Sequence, residues 1–253
     1  MSIIKKMLSA FGDALFVNFK CIFCNTETVN ESLVCDDCVI RLIPIVGATC
    51  KKCGAMVDES DKVCIYCFDK EYLFREHRSC FIYDKLSSTP VKLLKYEKKK
   101  YLAEPIARIM FAMNKELFEN VDIITFVPMT DERKDERGFN QGEEIAKYLS
   151  EIVNVPVVKL MEKTKATEHQ ADLNFKKRCE NLKGSFTISS DVKENIRGKN
   201  ILVVDDVFTT GSTLSECARL LNRAKAKTVK AITFLKTDPF RKHESDDEYY
   251  LPF

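Results

Sequence analysis

"VVDDVFTTGST" occupies residues 203–213. An apolar run, "NILVV", stops at two adjacent carboxylates, Asp205 and Asp206, and a small-residue turn follows. Thr209, Thr210, Gly211, Ser212 and Thr213 then lead into a stretch whose Leu214, Cys217, Ala218 and Leu221 recur at helical spacing. Strand, acid pair, hydroxyl-rich turn and helix, in that order, describe the carboxyl end of a strand in an α/β sheet, where such folds bind ligands. The turn has the chemistry of a phosphate cradle. Gly211 lets the backbone come close, successive amides converge, and the helix start adds its positive end. A Walker A loop would carry a lysine after its second glycine, and none stands here. A receiver-domain acid pocket lies near the start of its domain, whereas only 47 residues follow Asp206. Ser212 or Thr213 capping the helix would account for the turn, but would leave two acids at a strand end without a task. A ribose phosphate employs both features: the carboxylates accept from the 2′- and 3′-hydroxyls and the loop holds the 5′-phosphate.

Outward from this stretch, strand and helix patterns alternate. Residues 79–84, 122–128, 155–163, "SFTIS", "KNILVVDD" and "KTVKAITFLKT" read as strands. Leu93, Leu94, Ile106, Ile109 and Met110 are spaced for helices, with Pro105 breaking or opening one, and "GFNQGEEIAKYLSEIV" is a helix with Ile145, Ala146 and Leu149 inward. The fold class is therefore α/β, with a mainly parallel sheet and right-handed crossovers.

A different grammar rules the front of the chain. Eight of the eleven cysteines fall within residues 21–67, as Cys21/Cys24, Cys35/Cys38, Cys50/Cys53 and Cys64/Cys67, separated by 10, 11 and 10 residues. This is one four-cysteine unit used twice. A two-residue spacer turns both thiolates toward one tetrahedral ion, and two such turns close a structural zinc site. Gly54, just after Cys53, suits the tight turn. A disulfide framework would need an oxidising compartment, and no export signal is read. The spacing leaves open whether the units are sequential or interleaved. Of the remaining cysteines, Cys217 reads as a buried small hydrophobe, Cys80 as a strand residue and Cys179 as a loop residue. His77, His169 and His243 are scattered and read as surface or loop positions.

The bulk numbers exclude little. The chain has 253 residues, 45% hydrophobic and 31% charged, with a formal charge of +2, so no strong steering field acts on nucleic acid. No apolar run is long enough for a membrane span. "MSIIKKMLSAFGDALFVNF" is interrupted by Asp13 and reads as an amphipathic helix suited to peripheral membrane contact. The expected divisions are that helix (1–19), a double zinc-binding module (20–78), the α/β domain (79–237) and a charged tail (238–253).

At this point the motifs resemble known proteins. "ILVVDDVFTTGSTL" resembles the 5-phosphoribosyl-1-pyrophosphate signature of type I phosphoribosyltransferases. "RKDERGFNQ" (Arg133, Arg137, Gly138, Phe139, Asn140, Gln141) is similar to the R-x3-RGFNQ segment of the ComF family. Thr167, Gln170, Leu173, Arg178, Asn181, Gly184 and Phe186 match a further segment of that family, and the cysteine knuckles fit it too. Phe126 stands where the family more often has the first proline of PVP. The resemblance implies a cytoplasmic factor of natural transformation that handles incoming single-stranded DNA. It also implies partners among the DNA-uptake proteins and a phosphoribosyl pyrophosphate site served by Mg²⁺. By that resemblance Asp205 and Asp206 bind the ribose hydroxyls and Thr209 to Thr213 the 5′-phosphate. The turn after 122–127 takes the pyrophosphate, Arg137 joins the site, and residues 163–178 form a hood whose Lys163, Lys165 and Arg178 offset phosphate charge. An active phosphoribosyltransferase of nucleotide salvage is the alternative; no acceptor pocket and no glutaminase domain is identifiable. For DNA, "KLLKYEKKKY" (92–101) offers five lysines with Tyr96 and Tyr101, and Lys51 and Lys52 offer a second basic loop.

Overall fold

The computed structural model describes residues 20–28, 32–164, 182, 184–188 and 190–238. The expected amino-terminal helix, most of the expected hood, Cys179, His169, His243 and the tail beyond Asp238 lie outside the described residues. In chain order the regular elements are α1 (Asp36–Arg41), β1 (Glu76–Ile82), α2 (Thr89–Tyr96), α3 (Ala103–Met113), β2 (Ile123–Phe126), α4 (Asp131–Arg137) and α5 (Gln141–Val153). They continue with β3 (Glu162–Lys163), β4 (Phe186–Thr187), α6 (Lys193–Ile196), β5 (Asn200–Phe208), α7 (Ser212–Arg223) and β6 (Thr228–Lys236).

Four parallel strands form the sheet in the order β1-β6-β5-β2, with Ile201 of β5 opposite Ile123 of β2 and Val229 of β6. A parallel sheet is covered on both faces, so its central strands are apolar on both sides. Leu202 and Val204 of β5 face Leu94 of α2, Ile106 and Met110 of α3, and Ile145 and Leu149 of α5. Ile201 and Val203 face Leu214, Cys217 and Leu221 of α7. The small antiparallel pair β3–β4 lies apart, with Lys163 opposite Phe186.

The cysteine units do not form a detached module. Cys21, Ile22, Phe23 and Cys38 pack on the first face, where Phe23 stacks on Phe234 at 6.2 Å and meets Phe81 edge-on at 5.7 Å. Cys50, Cys53, Cys67 and Phe74 pack on the second. The connection between them passes along the outer edge of β1. There Ile45 N donates to Cys80 O at 2.8 Å and Ile82 N donates to Ile43 O at 3.0 Å. This covers an edge that would otherwise offer unpaired backbone to other chains. β1 itself runs across the expected division between residues 78 and 79.

Three expectations change. The strand expected at 155–163 is reduced to a single bridge, Val157 with Ile124, and the two residues of β3. Pro156 accepts from Ile124 N at 2.9 Å but has no amide to return, so pairing does not propagate. Helix α4 was not expected, because none of its residues is buried and it shows no apolar stripe. Its ends hold it instead: Thr130 accepts from Arg133 N, acids fill the first turn, and Gly138 closes it at φ 81°. His77, expected at the surface, is completely buried in β1. Its Nδ1 lies 2.9 Å from the Cys53 carbonyl, its Nε2 lies 3.1 Å from Thr233 Oγ1, and its ring stacks on Phe208 at 4.1 Å. Burial holds the imidazole down to about 3, so it is neutral, with the Nδ1 proton donated to the carbonyl.

Candidate phosphoribosyl and zinc sites

The two four-cysteine groups are sequential: Cys21, Cys24, Cys35 and Cys38 form one, and Cys50, Cys53, Cys64 and Cys67 the other. In each, the sulfurs lie within 4.8 Å of one another, with Cys24 and Cys35 3.5 Å apart and Cys53 and Cys64 3.7 Å apart. A tetrahedron of Zn–S bonds of about 2.3 Å has edges of about 3.8 Å, so both groups fit zinc. No disulfide joins the described cysteines. The Thr26 hydroxyl, 3.2 Å from Cys24 Sγ, pulls that thiol down to about 6, toward the thiolate that a metal needs. The repeat is visible in the backbone. Asn25 (φ 63°) and Gly54 (φ 69°) each follow a knuckle's second cysteine, and their amides return to Cys21 O (2.8 Å) and Cys50 O (2.9 Å). Gly54 admits no side chain, since a Cβ there would sit 2.6 Å from His77 O.

At the carboxyl end of β5 the chain turns through Thr209–Gly211 into α7. The helix cap is Gly211 itself, at φ 77°, which has no side chain to cap with, and Thr210 Oγ1 accepts from Ser212 N at 3.5 Å. Capping by Ser212 or Thr213 therefore does not occur; Ser212 Oγ instead bonds Thr210 Oγ1 at 3.0 Å. Among the described residues, the amides of Gly211, Thr213 and Leu214 have no protein acceptor. Together with Asp205, Phe208 and Thr209 these residues line a recess of about 20 Å³, room for one water. An alanine at 211 would take a left-handed backbone and drive its Cβ into the Phe208 ring and to 2.7 Å from Tyr72 Cε1. Strain and overpacking of about 1–3 kcal/mol each are the expected cost. Gly211→Ala should lower the melting temperature and weaken phosphate-ester binding at least about tenfold, as thermal melts and calorimetry will read.

The adjacent acids separate. Asp205 lines the recess, whereas Asp206 follows Leu202 and Val204 to the opposite face and accepts from Lys95 Nζ of α2 at 2.7 Å. Asp206 N donates to Asp205 Oδ1 at 2.9 Å, fixing that carboxylate over the turn. Burial, and then the charge of Asp206, push the Asp205 carboxyl up to about 7. Lys163 in β3 is near Asp205; burial, with Arg133 nearby, holds its ammonium below its ordinary value. Arg137 is not among the recess-lining residues. Its guanidinium lies 5.7 Å from the Tyr96 ring centre and donates to Gln141 Oε1 at 3.4 Å. It thus sits beside Lys95's helix. Lys165 and Arg178 lie outside the described residues.

Lys95 was missed as a site residue because the sequence presents it inside a lysine run; only its contact with Asp206 sets it apart. Tyr72 was missed as well: its hydroxyl donates to Thr210 O at 3.0 Å from 138 residues away. No local pattern encodes such a pairing. Gln141 is the third. It is buried, and its Nε2 has no partner among the described residues, which leaves a donor at the amino end of α5.

A parallel sheet with an acid-ended strand and an amide-lined turn defines a class. The chain belongs to the phosphoribosyl transferase domain family, which matches residues 102–251. A double zinc ribbon domain matches residues 11–70. The resemblance to the ComF family is borne out by relatives that align over most of their length. Competence protein F of Haemophilus influenzae is 26% identical, over 82% of this chain and 93% of that protein. Competence protein ComFC of Bacillus subtilis is 27% identical, over 82% and 85%. DNA utilization protein YhgH of Shigella flexneri is 29% identical, over 74% and 84%. Among the described residues no helix is long and apolar enough to cross a membrane.

Proposed function

We propose that this chain is a ComF-type competence factor that handles incoming single-stranded DNA. Its phosphoribosyl transferase domain binds 5-phosphoribosyl-1-pyrophosphate with Mg²⁺. The observation that carries the ligand reading is the recess itself. Gly211, Thr213 and Leu214, whose amides have no protein acceptor among the described residues, line the same small recess as Asp205. Amides at a helix start take a phosphate, and a carboxylate beside them takes sugar hydroxyls. Mg²⁺ would supply charge neutralisation of the pyrophosphate, and Lys163 would add to it. Zinc is structural, since each four-sulfur group leaves no open position. The handling of DNA rests on the relatives' names and on one surface: Tyr96 and Tyr101 are each more than half exposed, beside Lys98, Lys99 and Lys100.

Calorimetry with phosphoribosyl pyrophosphate and Mg²⁺ should give saturable binding, lost in the Asp205→Ala/Asp206→Ala double variant. The same variant should lower transformation when it replaces the native chain. Single-stranded DNA affinity should fall with salt. Three phosphate contacts predict a loss of roughly twentyfold between about 50 and 200 mM, which fluorescence anisotropy reads directly. Absent heat together with salt-insensitive DNA binding would sink the reading. Release of pyrophosphate with an added nucleobase would instead establish a transferase.

A further inference from the structure

We propose that Tyr72 is a positioning residue for the phosphate loop, and that through it the second cysteine centre and the ribose-phosphate site bind their ligands as a coupled pair. The inference rests on the ligand reading above.

Two routes join Cys50, Cys53, Cys64 and Cys67 to residues 209–213. The first is Tyr72. Its ring lies against Phe74 at 5.0 Å and Phe208 at 6.0 Å and packs on the cluster that holds Cys50, Cys53 and Cys67, and its hydroxyl donates to Thr210 O at 3.0 Å. The next residue secures the helix behind the loop: Leu73 N donates to Ser215 Oγ at 3.2 Å, and Asn222 Nδ2 donates to Leu73 O at 2.7 Å. The second route is His77, which donates to the Cys53 carbonyl and stacks on Phe208 beneath Gly211.

The Thr210 bond has a directional consequence. A phosphate cradle works when its amides face the anion and its carbonyls face away. Tyr72 holds the Thr210 carbonyl on the module side. Without the hydroxyl that carbonyl is free to turn toward the recess, where it would repel a phosphate. A ligand that fixes the loop thereby fixes Tyr72 against the cluster that holds Cys67, and zinc that fixes Cys67 fixes the loop. Linkage requires the effect to be the same in both directions.

Tyr72→Phe removes the hydroxyl and keeps the ring. In full-length zinc-loaded protein it should weaken phosphoribosyl pyrophosphate binding about five- to tenfold by calorimetry. The zinc content should stay as in the wild type, and the melting temperature should fall by only a few degrees. In the wild type, saturating phosphoribosyl pyrophosphate should raise the zinc affinity of one centre about fivefold in competition with a chromophoric chelator, and Tyr72→Phe should abolish that gain. This wild-type measurement needs no variant. Binding of the ligand by wild type with no change in zinc competition overturns the coupling, and wild-type affinity in Tyr72→Phe overturns the positioning role. A wild type that binds no ligand overturns the functional reading, and this inference with it.

Discussion

Cys53→Ser should release one zinc per chain and abolish ligand binding, whereas Cys24→Ser should release the other zinc at far smaller cost to the ligand. Both residues belong to four-sulfur groups of similar geometry, so the difference comes from where each group is docked. The Cys24 group packs on the face that carries α2, α3 and α5. The Cys53 group packs on the face that carries α7 and Phe208, and its carbonyl holds His77. Structural zinc contributes about 10–16 kcal/mol to small modules, comparable with the whole stability of a domain. Losing even about 5 kcal/mol lowers the melting temperature by roughly 10–20 °C for a chain of this size. Metal content by elemental analysis, thermal melts and calorimetry on the two variants make the comparison. Equal loss of ligand affinity in both would refute the assignment of the loop to the second centre.

Asp205→Asn should do two opposite things: stabilise the empty protein above pH 7 and remove most of its affinity for phosphoribosyl pyrophosphate. The carboxyl is pushed up to about 7, so it resists ionisation in the fold, and the ordinary value is 3.8. Between those values the native state holds more protons than the unfolded chain, so stability falls as pH rises from about 4 to about 7. The groups that act on it are Asp206, which raises its value, Lys95 and Lys163, which lower it, and Cys217, which packs nearby. Binding runs the other way, because sugar hydroxyls need the ionised acceptor. Affinity should therefore rise as pH climbs from 6 to 8, by about tenfold per unit below the carboxyl's own value. In Asp205→Asn the profile should flatten, with affinity at pH 8 lower by roughly 10–100-fold. A wild-type affinity independent of pH over that range would show that this carboxylate does not meet the ligand.

Legibility followed the range of each interaction. The zinc knuckles were plain because every ligand pair is local: two residues between thiols, and a left-handed residue after the first knuckle of each unit, at Asn25 and Gly54. The strand–turn–helix was plain for the same reason, with strand end, glycine and helix start contiguous in 203–223. Helix α4 escaped because it buries nothing and is held by its caps. His77 escaped because its burial comes from two partners far along the chain, Cys53 on one side and Thr233 on the other. The acid pair was read as one unit, yet successive side chains of a strand point to opposite faces. That alternation gives Asp205 to the recess and Asp206 to Lys95.

The order of residues alone thus determined the paired cysteine knuckles, the parallel α/β class and the small-residue turn after the acid pair, since each is written in spacings of a few residues that local geometry enforces. Tertiary packing decided which cysteines share an ion, which face of the sheet each centre covers, and that Tyr72 grips Thr210. Those choices depend on long-range burial of apolar surface, and only the closed chain brings residues so distant in sequence into contact.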